Sequence, residues 1–127
     1  MNLVDTSGWI EYFFSGPNAG HFAKPIEKTS DLLVPTICLY EVFKKVNTVA
    51  DEAKALQAVA QMRQGTLADL TEDIALSASL ISIKHKIAMA DSIVYATAKS
   101  HGATTWTQDA DFKGLPDVNY KAARTKR

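Results

Sequence analysis

Four acidic residues in this chain occupy positions from which they could act together on one substrate. Asp5 directly follows a short apolar run, and Asp109 follows the β-prone segment 103–107. Glu41 and Asp91 each interrupt an otherwise apolar stretch. A carboxylate drawn into apolar surroundings loses several kcal/mol of hydration unless it is protonated, paired or bound to a metal. A compensating partner is therefore expected at these positions.

Carboxylates brought together repel each other, and a hard divalent cation with oxygen ligands relieves that repulsion. Mg²⁺ is the expected ion, with Mn²⁺ as an alternative. A zinc site is not expected, because Cys38 has no second cysteine and the three histidines form no ligand cluster. These histidines, His21, His85 and His101, are predicted at the surface or at helix ends. A carboxylate-only metal site suits hydrolysis of phosphodiester bonds.

Each acid also has an ordinary structural explanation. Asp5 and Asp91 could each cap a helix, and Asp109 or Asp111 could form an Asx turn. Glu41 could face solvent and pair with Lys45, one helical turn further on. Each of these alternatives explains one acid alone, whereas a metal site requires all four acids to converge.

The elements that would position the acids alternate between short strands and helices. Strands are predicted at residues 3–4, 32–35, 66–70, 103–107 and near 118–120. Helices are predicted at about residues 9–14, 21–28, 37–46 with Thr36 as N-cap, 51–64, 71–86 and 90–100. This alternation predicts the α/β class, with a parallel sheet covered on both faces. Because ligands of such sheets bind at the carboxyl ends of strands, Asp5 and Asp109 are expected at one edge.

The composition fits a single globular domain over residues 1–127, with 46% hydrophobic and 22% charged residues. Fourteen Lys and Arg balance 14 Asp and Glu, so attraction to nucleic acid must be local. Residues 121–127 are predicted to form a basic, flexible tail. The N-terminus does not resemble a secretory signal, no segment is long enough to span a membrane, and the lone cysteine suits a reducing compartment. A cytoplasmic location and no membrane association are therefore expected.

Basic residues lie near the acids in the sequence. They are Lys44 and Lys45, the run Lys84-His85-Lys86, and Lys113. They could form a positive rim for RNA, and each could equally belong to a solvated helix face.

Four motifs resemble, in the same order, the acidic motifs of PIN domains. They are MNLVDTS at 1–7, YEV at 40–42, MADSIVYATA at 89–98 and TQDADF at 107–112. The resemblance spans nearly the whole chain and is closest to the VapC-type toxins of bacterial toxin–antitoxin pairs. Trp106 departs from the family pattern, in which an aliphatic residue is commoner, and is interpreted as a buried strand residue.

The resemblance implies a three-layer α/β/α sandwich with a mainly parallel central sheet. It also implies a magnesium-dependent endoribonuclease toxin that acts on structured RNA, such as transfer or ribosomal RNA, and is inhibited by a cognate VapB-type antitoxin. The family's catalytic and metal-binding acids carry over onto Asp5, Glu41, Asp91 and Asp109, with Asp111 as a further metal ligand. Supporting hydroxyl groups carry over onto Thr6, Ser7 and Thr107.

The resemblance further implies a homodimer, and the sequence predicts its apolar surface at residues 9–14 or in the helix at 53–62. Two other functions stay open. The first is a metal-dependent DNA nuclease or phosphatase, because an acidic metal site does not encode the sugar. The second is a catalytically weak PIN-like scaffold that binds RNA or a partner. The presence of all four acids favours catalysis over the scaffold.

Overall fold

A computed structural model of the protein describes residues 1–124. The strands are β1 Asn2–Val4, β2 Leu32–Pro35, β3 Thr66–Ala68, β4 Thr104–Thr107 and β5 Val118–Tyr120. The helices are α1 Thr6–Phe13, α2 Ala19–Ile26, α3 Thr36–Val49, α4 Glu52–Met62, α5 Glu72–His85 and α6 Met89–Ser100. Short 3-10 turns lie at Thr29–Asp31 and Ala110–Phe112. The predicted flexible tail falls partly outside the described residues, which end at position 124.

The five strands form one parallel sheet in the order β3-β2-β1-β4-β5. The chain runs outward from β1 to β3, then returns to β4 on the other side of β1 and continues to β5. Right-handed crossovers in opposite directions from a central strand place helices on both faces of the sheet. The predicted α/β/α architecture is therefore confirmed. The direction of winding changes between β1 and β4, which opens a crevice at their carboxyl ends.

The central strands are apolar without alternation because both of their faces are covered. Leu3, Val4, Leu33 and Val34 are all essentially inaccessible to solvent. The main core packs these strands against the inner faces of α1, α2, α3, α4 and α6. A smaller apolar cluster joins α5 to α6. No helix within residues 1–124 is long and apolar enough to cross a membrane.

Gly8 allows α1 to lie close to both β1 and α2. A Cβ atom at this position would lie 2.6 Å from Val4 Cγ1 and 2.7 Å from Phe22 Cδ1. Both neighbours are fully buried. We expect Gly8→Ala to lower the free energy of unfolding by about 1–3 kcal/mol through overpacking, as measured by denaturant titration. Gly20→Ala in α2 is the control, since no atom lies within 4 Å of its added Cβ. Equal destabilisation of both variants would contradict this explanation.

Differences between the predicted and observed elements lie mostly at element ends. The sequence predicts Thr36 as an N-cap, but α3 begins at Thr36 and Pro35 is the cap, without a side-chain hydrogen bond. The reason is that β2 runs directly into α3, so the cap position falls on the last strand residue. The third strand stops at Ala68 rather than at residue 70. The predicted cap of α5 is confirmed, since Thr71 Oγ1 accepts a hydrogen bond of 3.2 Å from Ile74 N.

His21 lies in the first turn of α2, in agreement with its predicted position at the surface or at a helix end. Its ring is partly buried, with its centroid 4.9 Å from that of Trp106 and 5.1 Å from that of Phe22. Burial, followed by the charges of Lys121 and Lys24, lowers the pKa of His21. Aromatic packing explains this partial burial, which the isolated position of His21 in the sequence did not indicate. Trp106 is only partly buried, and its Nε1 donates to the Asn2 side chain.

Candidate metal centre

Asp5 and Asp109 lie on either side of the crevice between β1 and β4. Asp5 immediately follows β1, and its N–H donates to Trp106 O over 3.1 Å, so the ladder between the two strands extends to this residue. Asp109 stands two positions after the end of β4. Both acids therefore lie at the carboxyl edge of the sheet, where the winding reverses and ligands of such folds bind.

The Asp5 carboxylate is held by hydrogen bonds at both oxygens. Oδ1 accepts from Gly8 N at 2.9 Å and from Ser7 Oγ at 2.8 Å, and Oδ2 accepts from Thr107 Oγ1 at 2.6 Å. The interpretation of Asp5 as the cap of α1 is thus correct, and the same residue is also part of the acidic centre. Asp5 is 3% exposed, and this burial raises its pKa to about 6. The hydrogen bonds oppose that rise, whereas the nearby charge of Asp109 adds to it.

Asp91 enters the same crevice from α6. It is the third residue of that helix, and Ala88 occupies the cap position, so the interpretation of Asp91 as an N-cap is wrong. Burial is the largest cause that raises the pKa of Asp91 to about 7. The charges of four other acids add to the rise, in the order Asp109, Asp5, Glu41 and Asp111. All five predicted acids are therefore close enough to interact electrostatically.

The tightest grouping of acids contains Asp91, Asp109 and Asp111. One carboxylate oxygen from each lies within 4.8 Å of the other two. Asp109 Oδ1 accepts a hydrogen bond of 2.9 Å from Asp111 N, which caps the short 3-10 turn Ala110–Phe112. Asp109 therefore forms the predicted turn and also belongs to the acidic cluster.

The donor set of this cluster fits a hard divalent cation. Its ligand atoms are carboxylate oxygens, which such cations prefer. Within residues 1–124 the one ion pair joins the N-terminus to Asp31, so no lysine or arginine there neutralises the five acids through direct contact. Burial and, after it, the uncompensated charges of the other four acids raise the pKa of Asp91. A bound cation would compensate these charges.

Glu41 borders the cluster from α3. Its Oε1 accepts a hydrogen bond of 2.6 Å from Thr6 Oγ1, and the same hydroxyl lies 3.6 Å from Cys38 Sγ. The alternative in which Glu41 pairs with Lys45 is wrong, since no such ion pair forms in the described part of the chain. The three predicted supporting hydroxyls, of Thr6, Ser7 and Thr107, therefore each contact one of the acids.

A groove of about 590 Å³ lies along α1 and α3, and Glu41 is the acid of the site that lines it. Lys44 and Lys45 line it, together with the exposed aromatic ring of Tyr40. Lys44 Nζ lies 5.9 Å from the centroid of that ring. The other lining residues are Thr6, Ser7, Ile10, Glu41, Thr48 and Gln108. Of the predicted basic rim, this lysine pair lines the same groove as Glu41, whereas Lys113 lies over the Tyr120 ring.

A polar network centred on the buried side chain of Asn18 was not predicted from the sequence. The Asn18 side-chain amide donates to Gln108 Oε1 at 3.1 Å and to Ala122 O at 3.0 Å. Asn18 Oδ1 accepts from Arg124 Nε at 3.2 Å. Gln108 in turn donates through its backbone N–H to Ser7 Oγ at 3.3 Å. The network therefore connects residues 122–124 to the hydroxyl that holds Asp5.

We expect Asn18→Ala to lower the free energy of unfolding by about 1–3 kcal/mol. The substitution removes the hydrogen bonds of the buried Asn18 side chain to Gln108 and to the carbonyl of Ala122, and such bonds typically contribute about 0.5–1.5 kcal/mol each. Denaturant unfolding measures the change. Asn47→Ala is the matched control, because Asn47 is exposed on α3. If the two variants were equally stable, the network would contribute nothing to the fold.

A family model described as PIN domain matches residues 3–118. A chain of a toxin–antitoxin complex from Klebsiella pneumoniae is 24% identical, with a TM-score of 0.76 over 94% of this chain and 96% of that one. VapC20 of Mycobacterium tuberculosis, described as a sarcin–ricin loop cleaving toxin, is 19% identical, with a TM-score of 0.79 over 93% and 97%.

A third structure, FitAcB from Neisseria gonorrhoeae, is 23% identical, with a TM-score of 0.69 over 94% of this chain and 96% of that one. The search of curated protein sequences finds no match. At these identities the three structures share the fold of this chain.

Proposed function

Because the chain belongs to the PIN-domain family, we propose that it is a metal-dependent endoribonuclease and the toxin of a VapC-type toxin–antitoxin pair. The observation that carries this proposal is the convergence of five acids at the reversal point of the sheet, where burial and then the charges of the other four acids raise the pKa of Asp91. A divalent cation with oxygen ligands relieves the repulsion in such a site and supports phosphodiester hydrolysis.

We assign the metal ligands to Asp5, Glu41, Asp91, Asp109 and Asp111, and the ion to Mg²⁺ or Mn²⁺. When bound, such an ion supplies activated water and neutralises charge on the phosphate oxygens. The chain's own contribution is to hold the ligands in place. Ser7 and Thr107 fix the two oxygens of Asp5, Thr6 fixes Glu41, and the backbone of residue 111 fixes Asp109. Hydrogen bonds that hold metal ligands in place typically contribute 10- to 100-fold to metal affinity or activity.

The groove beside the acids suits an RNA strand better than a small phosphate ester. Lys44 and Lys45 can contact phosphates, and the exposed ring of Tyr40 offers a face on which an unpaired base can stack. A loop of a structured RNA presents such bases, so transfer or ribosomal RNA is the proposed substrate class. The activity in the description of VapC20, cleavage of the sarcin–ricin loop, supports this choice.

The proposed inhibitor is a VapB-type antitoxin, because several similar structures are described as toxin–antitoxin complexes. An Arg or Lys of the antitoxin would lie among the acids and replace part of the metal's positive charge. Its amphipathic segment would occupy the apolar groove of about 650 Å³ that Leu39, Phe43 and Val59 line. An inhibited complex that still bound its full complement of Mn²⁺ would contradict this mechanism.

Cleavage assays separate the proposed function from its alternatives. We expect the purified chain to cut a structured RNA in Mg²⁺ or Mn²⁺ and to be inactive in chelator, with no cleavage of DNA of the same sequence. Cleavage of both nucleic acids would indicate a general nuclease, and release of phosphate from a small ester would indicate a phosphatase. Binding of RNA without cleavage in either ion would indicate the scaffold.

A further inference from the structure

Gln108 is held at two points along one face of α1. Its backbone N–H donates to Ser7 Oγ over 3.3 Å, and its side-chain Nε2 donates to Glu11 Oε1 over 3.3 Å. Ser7 and Glu11 are four residues apart, so they lie on the same side of the helix. Gln108 directly precedes Asp109 in the chain. The segment that carries Asp109 is therefore attached to the helix that Asp5 caps.

The Glu11 carboxylate closes a ring of three hydrogen bonds around this attachment. Its second oxygen, Oε2, accepts from Asn18 N over 2.7 Å, and the Asn18 side chain donates to Gln108 Oε1 over 3.1 Å. Two donors thus point at the two oxygens of Glu11. A carboxylate offers one acceptor to each donor, whereas the amide of glutamine has a single oxygen. The ring therefore favours glutamate at position 11.

Gly16 leaves room for the Glu11 carboxylate beside the backbone. The chain turns at the end of α1, where Gly16 N donates to Glu11 O over 2.9 Å. A Cβ atom at Gly16 would overlap the carboxylate of Glu11. The missing side chain therefore allows Glu11 to lie against this turn and accept from Asn18.

Glu11 is distinct from the five acids of the candidate site. Among residues 1–124, the compact cluster of acids and the lining of the 590 Å³ groove both leave Glu11 out. Gln108 does line that groove. An effect of Glu11 on the site must therefore be transmitted through its hydrogen bonds.

We propose that Glu11 and Gln108 are positioning residues for the metal ligands. The hydrogen-bond ladder between β1 and β4 ends at Asp5 N, so the sheet alone does not fix Asp109, two residues beyond β4. The ring holds the segment of Asp109 against α1, and thereby sets its distance from Asp5. This inference rests on the proposed function, because it assumes that both acids bind one cation.

Titration calorimetry with Mn²⁺ tests the role of Glu11. We expect Glu11→Gln to raise the Mn²⁺ dissociation constant about tenfold, at the lower end of the range typical of residues that hold metal ligands in place. A purely structural contribution would lower the free energy of unfolding in chelator and leave the Mn²⁺ affinity of the folded protein unchanged. Glu27→Gln is the matched control, since Glu27 accepts from Tyr12 of α1 over 3.0 Å and neither residue is hydrogen-bonded to Gln108.

Gly16→Ala opens the ring without changing any of its members. The added Cβ should displace the flexible carboxylate of Glu11 and leave the backbone in place. We expect the Mn²⁺ dissociation constant to rise about tenfold, as in Glu11→Gln. Gly20→Ala is the control, because no atom lies within 4 Å of its added Cβ and the effect on the unfolded chain is the same.

Exchange of the two side chains tests the ring itself. With Glu11→Gln and Gln108→Glu combined, the amide at position 11 donates to the carboxylate at position 108, and the two donors of Asn18 keep their acceptors. The effect of Glu11→Gln on the free energy of unfolding in chelator should therefore reverse its sign. The substitution should destabilise wild type and stabilise Gln108→Glu, in which two carboxylates face each other.

The outcomes separate this inference from the proposed function. A wild type that binds no Mn²⁺ would overturn both. Wild-type binding of Mn²⁺ with unchanged affinity in Glu11→Gln or Gly16→Ala would overturn the positioning role alone. Equal losses of affinity in the two controls, or the same sign of the Glu11→Gln effect in both backgrounds, would overturn it as well.

Discussion

Asp91→Asn is expected to reduce metal-dependent RNA cleavage by at least about 100-fold and to leave the metal-free protein at least as stable as wild type. Residues that only hydrogen-bond to metal ligands already contribute 10- to 100-fold to metal affinity or activity. Loss of a charged ligand should therefore reduce activity at least as much. Stability should not fall, because burial and four neighbouring acids disfavour the Asp91 charge and raise its pKa to about 7. The amide has nearly the same shape as the carboxyl group and carries no charge.

Two measurements are needed for this variant, cleavage of a structured RNA and thermal unfolding in chelator or in Mn²⁺. The expected result is lost cleavage, an unchanged or higher unfolding temperature in chelator, and a smaller stabilisation by Mn²⁺. Asp69→Asn is the control, since it makes the same substitution at an exposed aspartate that does not contribute to the pKa of Asp91. Cleavage by Asp91→Asn at the wild-type rate would remove Asp91 from the proposed site.

The fold could be predicted from the sequence because its central strands are buried on both faces. Segments such as Leu32–Pro35 are continuously apolar, and the helices between them have capping signals such as Thr71. The boundary at Thr36 could not be predicted locally. Whether a turn separates a strand from the next helix depends on the distance between the sheet and the helix layer, which the sequence of the segment does not specify.

The acids of the candidate site were predictable for a related reason. A charge such as Glu41 or Asp91 within an apolar stretch is conspicuous, and the parallel sheet directs strand-end residues to one edge. Asn18 gave no such signal in the sequence. Its partners Gln108 and Arg124 lie 90 and 106 positions away, so the network exists only once the chain is folded. Local patterns predict which residues are buried, but they do not predict such distant pairings.

The second large effect is expected in the pH dependence of stability. In chelator, the contribution of the acidic centre to the free energy of unfolding should fall as the pH rises from about 4 to about 8. Asp5 and Asp91 have ordinary pKa values of 3.8 in the unfolded chain, and folding raises these to about 6 and about 7. The folded protein therefore binds these protons more tightly than the unfolded chain does. The resulting stabilisation is complete below pH 3.8. It is lost as the pH rises through the pKa values that the two groups have in the folded protein.

For Asp5, a rise from 3.8 to about 6 at 1.36 kcal/mol per pH unit corresponds to about 3 kcal/mol. The effect of Asp91 should be smaller than its pKa suggests, because its carboxyl group is only partly buried and solvent screens its interactions. His21 acts in the opposite direction, since its pKa is lowered on folding and stability is gained as the pH rises through its titration. The wild-type profile alone therefore mixes contributions of both signs.

Comparing variants isolates the acidic centre, because His21 is present in all of them. Denaturant unfolding in chelator at several pH values should show that wild type loses more stability between pH 4 and pH 8 than Asp91→Asn does. Asp69→Asn should follow the wild-type profile. Added Mn²⁺ should reduce the loss in wild type above pH 6, because the cation binds the ionised carboxylates of the folded protein and shifts the equilibrium toward it. Identical profiles for wild type and Asp91→Asn, with no response to Mn²⁺, would show that the five acids neither repel one another nor share a cation.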